Sequence, residues 1–226
     1  MLLDRDYVPT PGRRWKWSAT IVLIVLNVLA FLFQITLLPK LLDLRYLALS
    51  LWGLQHGFVW QLLTYQFMHG GWLHLLVNCW ALFVFGRGVE WAVGKTRFLI
   101  LYFSSGVIGG LLQVLAALLW PNYFAGASVG ASAGIFGVVA SFALLFPDQQ
   151  LILLLFFVIP IKLRAKSLLW FELVLTALGI SFPNSRLGEL LGLKVAHFAH
   201  LGGILTGLAF TRFYFLKILR QRPFAE

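Results

Sequence analysis

A serine at a glycine-rich helix start is the first residue pattern in this sequence that suggests chemistry. Ser132 lies in the stretch GASVGASAGIFG, where small residues precede an apolar helix predicted over residues 132–146. A hydroxyl at a helix start is close to unpaired backbone N–H groups and to the positive end of the helix dipole. That setting suits a developing oxyanion. The alternative is a packing seam, because small residues commonly form the contact faces of membrane helices.

Two further polar groups interrupt apolar segments. His200 lies in AHLGGILTG and is followed by Gly203 and Gly207 on one helical face. His74 and Asn78 are four residues apart, so they also share a helical face. Polar groups at membrane depth are costly and usually face the interior of the helix bundle, often for function. An interhelical hydrogen bond is the alternative role for a lone membrane histidine.

These residue types together would support acyl transfer. Ser132 can act as a nucleophile if an imidazole removes its proton, and His200 is the natural base. His74 and Asn78 could donate hydrogen bonds to the tetrahedral oxyanion, beside the backbone N–H of Ser132. Phe136, one turn after Ser132, could stack on the imidazole and orient it, since no acidic third member is evident. Glycines are expected to let the helices near the site pack closely, namely Gly130, Gly134, Gly137, Gly203 and Gly207.

The composition is that of an integral membrane protein. The chain is 60% hydrophobic and 12% charged, whereas soluble domains are about 45–50% apolar and about 25% charged. The net charge of +10 arises from short basic clusters between apolar runs, which are typical topology signals. We therefore expect a lipid bilayer and no nucleic acid as partner. Cys79 is the only cysteine, so no disulfide is expected.

The order of apolar runs predicts an all-α membrane protein with six transmembrane helices. The spans are predicted at residues 18–38, 69–90, 98–120, 132–146, 167–182 and 195–219. The fourth span is shorter than the roughly 20 residues that cross a bilayer core, so its start should lie below the membrane surface. Residues 39–68 are predicted to form a first loop of short interfacial helices, and residues 151–159 a further interfacial element.

The basic residues predict the orientation of these spans. With a cytoplasmic amino terminus, 14 of the 18 Lys and Arg residues fall on the cytoplasmic side. Cytoplasmic loops are enriched in Lys and Arg, so the asymmetry favours six spans with both termini inside. The predicted organisation is an amino-terminal tail (1–17), one six-helix domain (18–219) and a carboxy-terminal tail (220–226).

The motifs HGGWLHLLVN (69–78), GASAGIFG (130–137) and AHLGGILTG (199–207) resemble those of the rhomboid intramembrane serine proteases. The resemblance extends from the first to the sixth predicted span. It implies a six-helix core with a water-filled cavity, a Ser132–His200 catalytic dyad, and an oxyanion hole lined by His74 and Asn78. It also implies a membrane-embedded first loop and a cap formed by residues 183–194.

The sequence departs from the family pattern at three positions. Ala133 follows the serine where the family usually has glycine, and Phe136 stands where tyrosine is common. Gln61 follows Trp60 where the family often has an arginine that anchors the first loop. None of these changes removes a proposed catalytic group.

The expected function is that of a serine endopeptidase that cleaves single-span proteins in or near their transmembrane segments, without metal or cofactor. With no organelle presequence evident, a prokaryotic cytoplasmic membrane is the expected location. One alternative is an inactive rhomboid-like protein that binds membrane proteins or acts in their quality control. A metal-dependent enzyme is another, although the His197–His200 spacing differs from HExxH. Glu172 is an intramembrane acid to which no function is assigned.

Overall fold

The computed structural model describes residues 17–155, 159–183 and 196–221. Predictions for residues 1–16, 156–158, 184–195 and 222–226, which include most of the expected cap, part of the predicted interfacial element and the first residue of the sixth predicted span, lie outside these ranges. Most of the described chain is helical, and the helices are α1 (Ala19–Thr36), α2 (Leu38–Leu41), α3 (Leu51–Gln55), α4 (Gln61–Thr64), α5 (Trp72–Ala81), α6 (Arg87–Val93), α7 (Lys95–Leu119), α8 (Pro121–Phe124), α9 (Ser132–Leu145), α10 (Ala165–Ser181) and α11 (His197–Gln221).

Three of the described helical segments are long and apolar enough to cross a membrane. They are α1, the continuous segment Trp72–Val93 and α7, which correspond to the first three predicted spans. A π-helical turn, Leu82–Gly86, joins α5 to α6 within the second segment. Helix α9 is apolar but has only 14 residues, and it begins at Ser132 as predicted. Helices α10 and α11 lie where the fifth and sixth spans were predicted.

The first loop is built from short pieces of helix rather than from a crossing segment. Between α1 and α5 the chain forms α2, α3 and α4, with two 3-10 turns at Leu44–Tyr46 and Tyr65–Phe67. Gln61 is fully buried, where it accepts a hydrogen bond from Ser50 N (3.1 Å) and donates one to the Arg45 carbonyl oxygen (2.8 Å). This neutral amide therefore ties the loop together at the position where the family often has arginine.

The all-α prediction is wrong for one segment. Strands β1 (Gln150–Leu155) and β2 (Ile159–Arg164) form an antiparallel hairpin in which Gln150 pairs with Arg164. Residues 151–159 were predicted only as an interfacial element. Pro160 is unfavourable in a helix interior, and the run is too short to span as a helix. Pairing two short extended segments satisfies their backbone polar groups.

Helices α9 and α11 are in backbone contact along a line of glycines. A Cβ atom at Gly203 would meet the carbonyl oxygen of Ala133, and one at Gly207 would meet that of Gly137. A Cβ atom at Gly137 would in turn lie 2.9 Å from the Gly203 carbonyl oxygen. Any side chain along this line would have to push the two helices apart.

Helix α7 packs against the same pair of helices through other glycines. A Cβ atom at Gly134 would lie 2.9 Å from the Tyr102 carbonyl oxygen of α7, and one at Gly202 would lie 2.7 Å from the Gly109 Cα atom. The three helices α7, α9 and α11 therefore form a tightly packed centre. Buried apolar side chains continue this centre toward α1 and α6, including Leu23, Phe85, Val89, Phe98 and Phe142.

The buried carboxylate of Glu90 in α6 caps the amino terminus of α1. It accepts hydrogen bonds from Ala19 N (2.7 Å) and Thr20 N (3.0 Å), and from the hydroxyls of Ser18 (2.7 Å) and Thr20 (2.7 Å). The backbone donors at a helix start have no partner within the helix, and a negative charge there is favourable. One side chain thus joins α1 to α6, although 70 residues separate Thr20 from Glu90.

We expect Glu90→Gln to lower the unfolding free energy by about 1–3 kcal/mol, because each carboxylate oxygen accepts a backbone N–H group and the amide NH2 that replaces one of them cannot accept. Unfolding in detergent micelles, followed by circular dichroism, measures the change. Glu172→Gln is the matched control, since Oε2 of buried Glu172 has no hydrogen-bond partner among the described residues. Equal losses in the two variants would show that the cap does not stabilise the protein.

We also expect Gly207→Ala to destabilise the protein by about 1–3 kcal/mol, because its Cβ would meet backbone atoms that cannot rotate away. Gly126→Ala is the control, since a Cβ there would have no heavy atom within 4 Å. Thermal unfolding of both variants in the same micelles tests this. A Gly207→Ala variant as stable as Gly126→Ala would refute close packing of α9 and α11.

Candidate active site

Ser132 is the first residue of α9, and the chain reaches it through an unusual backbone turn. Gly130 has φ +130°, a conformation that side chains rarely adopt. Ala131 then caps the helix without a side-chain hydrogen bond. The first-turn N–H groups have no acceptor within the helix. Ser132 is therefore in the first turn of the helix, where backbone donors are free, and the helix starts at the residue that the sequence predicted.

The α9–α11 contact brings His200 to Ser132. Nε2 of His200 lies 2.8 Å from Oγ of Ser132, which is hydrogen-bond distance. His200 is buried with 8% of its surface exposed, and it lies one turn before Gly203 on α11. The glycines allow the backbones to approach, and this approach places the two side chains in contact.

Phe136 holds the other side of the imidazole. Its ring stacks on that of His200 with centroids 4.0 Å apart and planes 14° from parallel. Phe136 lies one helical turn after Ser132, so one helix carries both the hydroxyl and the aromatic ring. The imidazole is thus bounded by Ser132 at its edge and by Phe136 on its face.

Gly130 lets the ring of His74 lie close to the chain that leads into Ser132. A Cβ atom at Gly130 would lie 2.9 Å from Nε2 of His74 and 3.6 Å from Oγ of Ser132. Any side chain at this position would clash with the His74 ring, so glycine is what allows the imidazole to approach Ser132.

The hydrogen bond at Nδ1 determines which nitrogen of His74 carries the proton. Gly70 N donates to Nδ1 of His74 at 3.3 Å. A neutral imidazole has one donor and one acceptor nitrogen, and the partner of one sets the role of the other. Nδ1 is therefore the acceptor and Nε2 the donor. The Nε2–H group lies on the side of the ring that faces Gly130.

Asn78 lies one turn after His74 on the same face of α5, as predicted. It is buried, with 6% of its surface exposed, and its Nδ2 atom has no hydrogen-bond partner among the described residues. Buried polar atoms are nearly always hydrogen-bonded. The Asn78 amide is thus a buried donor without a described partner, one turn from His74.

The first loop fixes the chain segment that precedes Ser132. Leu49 and Ser128 exchange two backbone hydrogen bonds, of 2.9 Å and 2.8 Å, and Gly130 N donates to the Tyr65 carbonyl oxygen at 2.9 Å. The Tyr65 hydroxyl donates to the Gly106 carbonyl oxygen of α7 at 2.6 Å. The segment before α9 is therefore held between the first loop and the central helices.

The five glycines predicted near the site differ in what they contact. Gly137, Gly203 and Gly207 form the α9–α11 line, whereas Gly134 packs against α7. Gly130 precedes α9 and contacts the His74 ring of α5. It therefore provides the positive φ of the turn and the close approach of that ring.

Two other histidines lie close to this group. The ring centroid of His197 is 6.3 Å from that of His200, and the centroid of His69 is 5.2 Å from that of His74. Glu172 is buried in α10. Within the described part of the chain, no three His, Cys, Asp or Glu side chains are grouped so that they could hold a metal ion.

Sequence reasoning missed Gln34, which lies near the end of α1 and bonds to the backbone of His69. Gln34 Nε2 donates to the His69 carbonyl oxygen at 2.7 Å, and Gln34 Oε1 accepts from His69 N at 2.9 Å. The available signal was a lone amide inside an apolar span, which is costly unless it is hydrogen-bonded.

Comparison with known proteins finds relatives of this chain among rhomboid proteins. The chain is 31% identical over 139 residues to Rhomboid protease AarA of Providencia stuartii, a match covering 55% of this chain and 49% of that protein. It is 30% identical over 156 residues to the mitochondrial Rhomboid protein 1 of Saccharomyces cerevisiae, covering 69% and 42%. It is also 27% identical over 168 residues to Inactive RHOMBOID-like protein 8 of Arabidopsis thaliana, covering 73% and 41%.

These matches span less than half the length of each relative. The family model for the Rhomboid domain matches residues 56–217, which include Ser132, His200, His74 and Asn78. Most of the chain is thus covered by a single family description. The chain belongs to the rhomboid family of integral membrane proteins.

Proposed function

We propose that this protein is an intramembrane serine endopeptidase with Ser132 as nucleophile and His200 as general base. The observation that carries the proposal is the 2.8 Å contact between Ser132 Oγ and His200 Nε2. A serine hydroxyl is a weak nucleophile until an adjacent base takes its proton. Stacking on Phe136 limits rotation of the imidazole, which helps to keep Nε2 directed at the hydroxyl.

The first half of the reaction forms an acyl-enzyme. Ser132 Oγ attacks the scissile carbonyl carbon while its proton passes to Nε2 of His200. The negative charge on the carbonyl oxygen is stabilised by the N–H group of Ser132, by Nε2–H of His74 and by Nδ2–H of Asn78. His200 then gives its proton to the leaving amine as the peptide bond breaks.

Hydrolysis of the ester completes the cycle. Nε2 of His200 accepts a proton from water, whose oxygen attacks the acyl carbon, and the same oxyanion donors stabilise the second tetrahedral intermediate. The ester bond breaks, and the proton returns from His200 to Ser132 Oγ. Water is therefore the second substrate, and the site must be wet although the bundle is surrounded by lipid.

We infer six membrane spans for the domain of residues 18–219: α1, the α5–α6 segment, α7, α9, α10 and α11. The distribution of Lys and Arg supports this count, with both termini in the cytoplasm. The first loop lies in the membrane surface in this arrangement, since Trp52, Val59 and Trp60 are exposed on it and aromatic residues favour that region.

The proposed substrates are single-span membrane proteins cleaved in or near their transmembrane segment. A helix must unwind locally before its carbonyl carbon can reach Ser132, so small or helix-destabilising residues should mark the cleavage site. The proposed location is a prokaryotic cytoplasmic membrane. Relatives include bacterial and mitochondrial proteins, and an inactive relative also matches, so an inactive binding protein is the competing function.

We expect Ser132→Ala and His200→Ala each to abolish cleavage of a labelled single-span substrate in liposomes, because each removes one partner of the proton transfer. Circular dichroism and thermal unfolding establish that the variants are folded. A fluorophosphonate probe should label the wild type at Ser132. Cleavage by Ser132→Ala at the wild-type rate would contradict the mechanism, and a folded wild type that neither cleaves nor labels would favour the inactive protein.

We expect Asn78→Ala to lower kcat by about 10²–10³-fold with a small change in KM, the cost of losing one oxyanion donor in a soluble protease. Cys79→Ala is the neighbouring control, on the same helix but outside the proposed site. Michaelis kinetics in liposomes measure both. A loss confined to KM would mean that Asn78 binds the substrate but does not stabilise the oxyanion.

A further inference from the structure

Gln34 binds the backbone of one residue, His69, through both the NH2 group and the oxygen of its side-chain amide. Its Nε2 donates to the His69 carbonyl oxygen at 2.7 Å, and its Oε1 accepts from His69 N at 2.9 Å. Both partners are backbone groups with fixed roles. The orientation of the amide is therefore determined by the hydrogen bonds themselves.

The carbonyl group that Gln34 binds belongs to the same peptide plane as the N–H group of Gly70. In a trans peptide the C=O and N–H bonds point in opposite directions within one rigid plane. Gln34 holds one side of this plane, and Gly70 N donates to Nδ1 of His74 on the other side. The hydrogen bond from Gln34 to the His69 carbonyl oxygen also makes the Gly70 N–H group a stronger donor, because hydrogen bonds in a chain polarise one another.

Other contacts from α1 support this placement. Phe31 lies one turn before Gln34 and packs edge-on against His69 (6.3 Å between centroids) and Trp72 (4.9 Å). The ring of His69 is tied back to the Phe67 carbonyl oxygen at 3.1 Å. The turn that leads into α5 is therefore positioned by one face of α1.

We propose that Gln34 is a positioning residue for the oxyanion hole, which acts on His74 through the peptide plane between His69 and Gly70. By fixing that plane, Gln34 keeps the Gly70 N–H group directed at Nδ1 of His74. The proton of the imidazole is then held on Nε2, which lies toward Gly130 and Ser132. This inference rests on the proposed protease function, because it assigns His74 as an oxyanion donor.

The substitution that tests this is Gln34→Met, which keeps the length of the side chain and removes both hydrogen bonds. We expect kcat to fall by about tenfold, less than the 10²–10³-fold cost of losing a whole oxyanion donor, with KM changed less than about twofold. Thr36→Val is the matched control on the same helix, because the exposed Thr36 hydroxyl donates to the Leu32 carbonyl oxygen within α1.

A double-mutant cycle with His74→Ala separates positioning from a general structural role. If Gln34 acts through His74, Gln34→Met should have no further effect on kcat in the His74→Ala background. An equal fold-loss in both backgrounds would overturn the proposal, as would an unchanged kcat in Gln34→Met alone. If Gln34→Met does not fold, Gln34→Glu provides the same readout, because it keeps the acceptor for His69 N and loses the donor.

Nitrogen-15 NMR of histidine-labelled protein gives a readout that does not depend on activity. The chain has only five histidines, and a difference spectrum against His74→Ala identifies the signals of His74. We expect a protonated Nε2 and an unprotonated Nδ1 in the wild type, with a protonated Nδ1 population appearing in Gln34→Met. An unchanged His74 tautomer in Gln34→Met would overturn the inference even if the protein cleaves its substrate. If instead the protease assignment is wrong, the wild type would not cleave the substrate, but the change of His74 tautomer in Gln34→Met would still be seen.

Discussion

The contact between α9 and α11 is the interaction on which the proposed chemistry depends. Lipid is as apolar as most side chains, so helices in a membrane associate through close packing and polar contacts instead of through the hydrophobic effect. Gly137, Gly203 and Gly207 supply this packing by letting carbonyl oxygens of one helix approach the Cα atoms of the other. The same approach sets the distance between Ser132 and His200. The same close packing of α9 and α11 therefore stabilises the protein and sets the geometry of the proposed proton transfer.

The buried polar groups of this protein differ in whether they have partners. Glu90, Gln61 and Gln34 are hydrogen-bonded to backbone groups of distant segments, and each one joins two parts of the chain. Asn78 leaves Nδ2 unpaired in the described structure, although an unpaired buried donor is unfavourable. The hydrogen-bonded groups join distant parts of the chain, whereas Asn78 is one of several buried polar groups with an atom unpaired among the described residues, as is Glu172. In the proposed mechanism the unpaired donor of Asn78 is used by the oxyanion, which would give this unfavourable group a function.

The sequence predicted those features that depend on local chemistry. Small and polar residues inside apolar runs are conspicuous, so the start of α9 at Ser132 and the shared face of His74 and Asn78 could be predicted. The hairpin could not, since periodicity does not distinguish a short apolar strand from a short buried helix. Nor could the partners of Glu90 and Gln34, because these contacts join residues 70 and 35 positions apart. Only the folded chain brings such pairs together.

The length of α9 explains why the first loop and the site belong together. Its 14 residues extend about 21 Å at 1.5 Å per residue, whereas the apolar core of a bilayer is about 30 Å thick. In the proposed six-span arrangement, the irregular segment before Ser132 would lie within that thickness, where every backbone group needs a partner from protein or water. Leu49 and Tyr65 of the first loop provide such partners for Ser128 and Gly130. In that arrangement the short α9 would leave room for water above Ser132, and the first loop would satisfy the backbone groups exposed there.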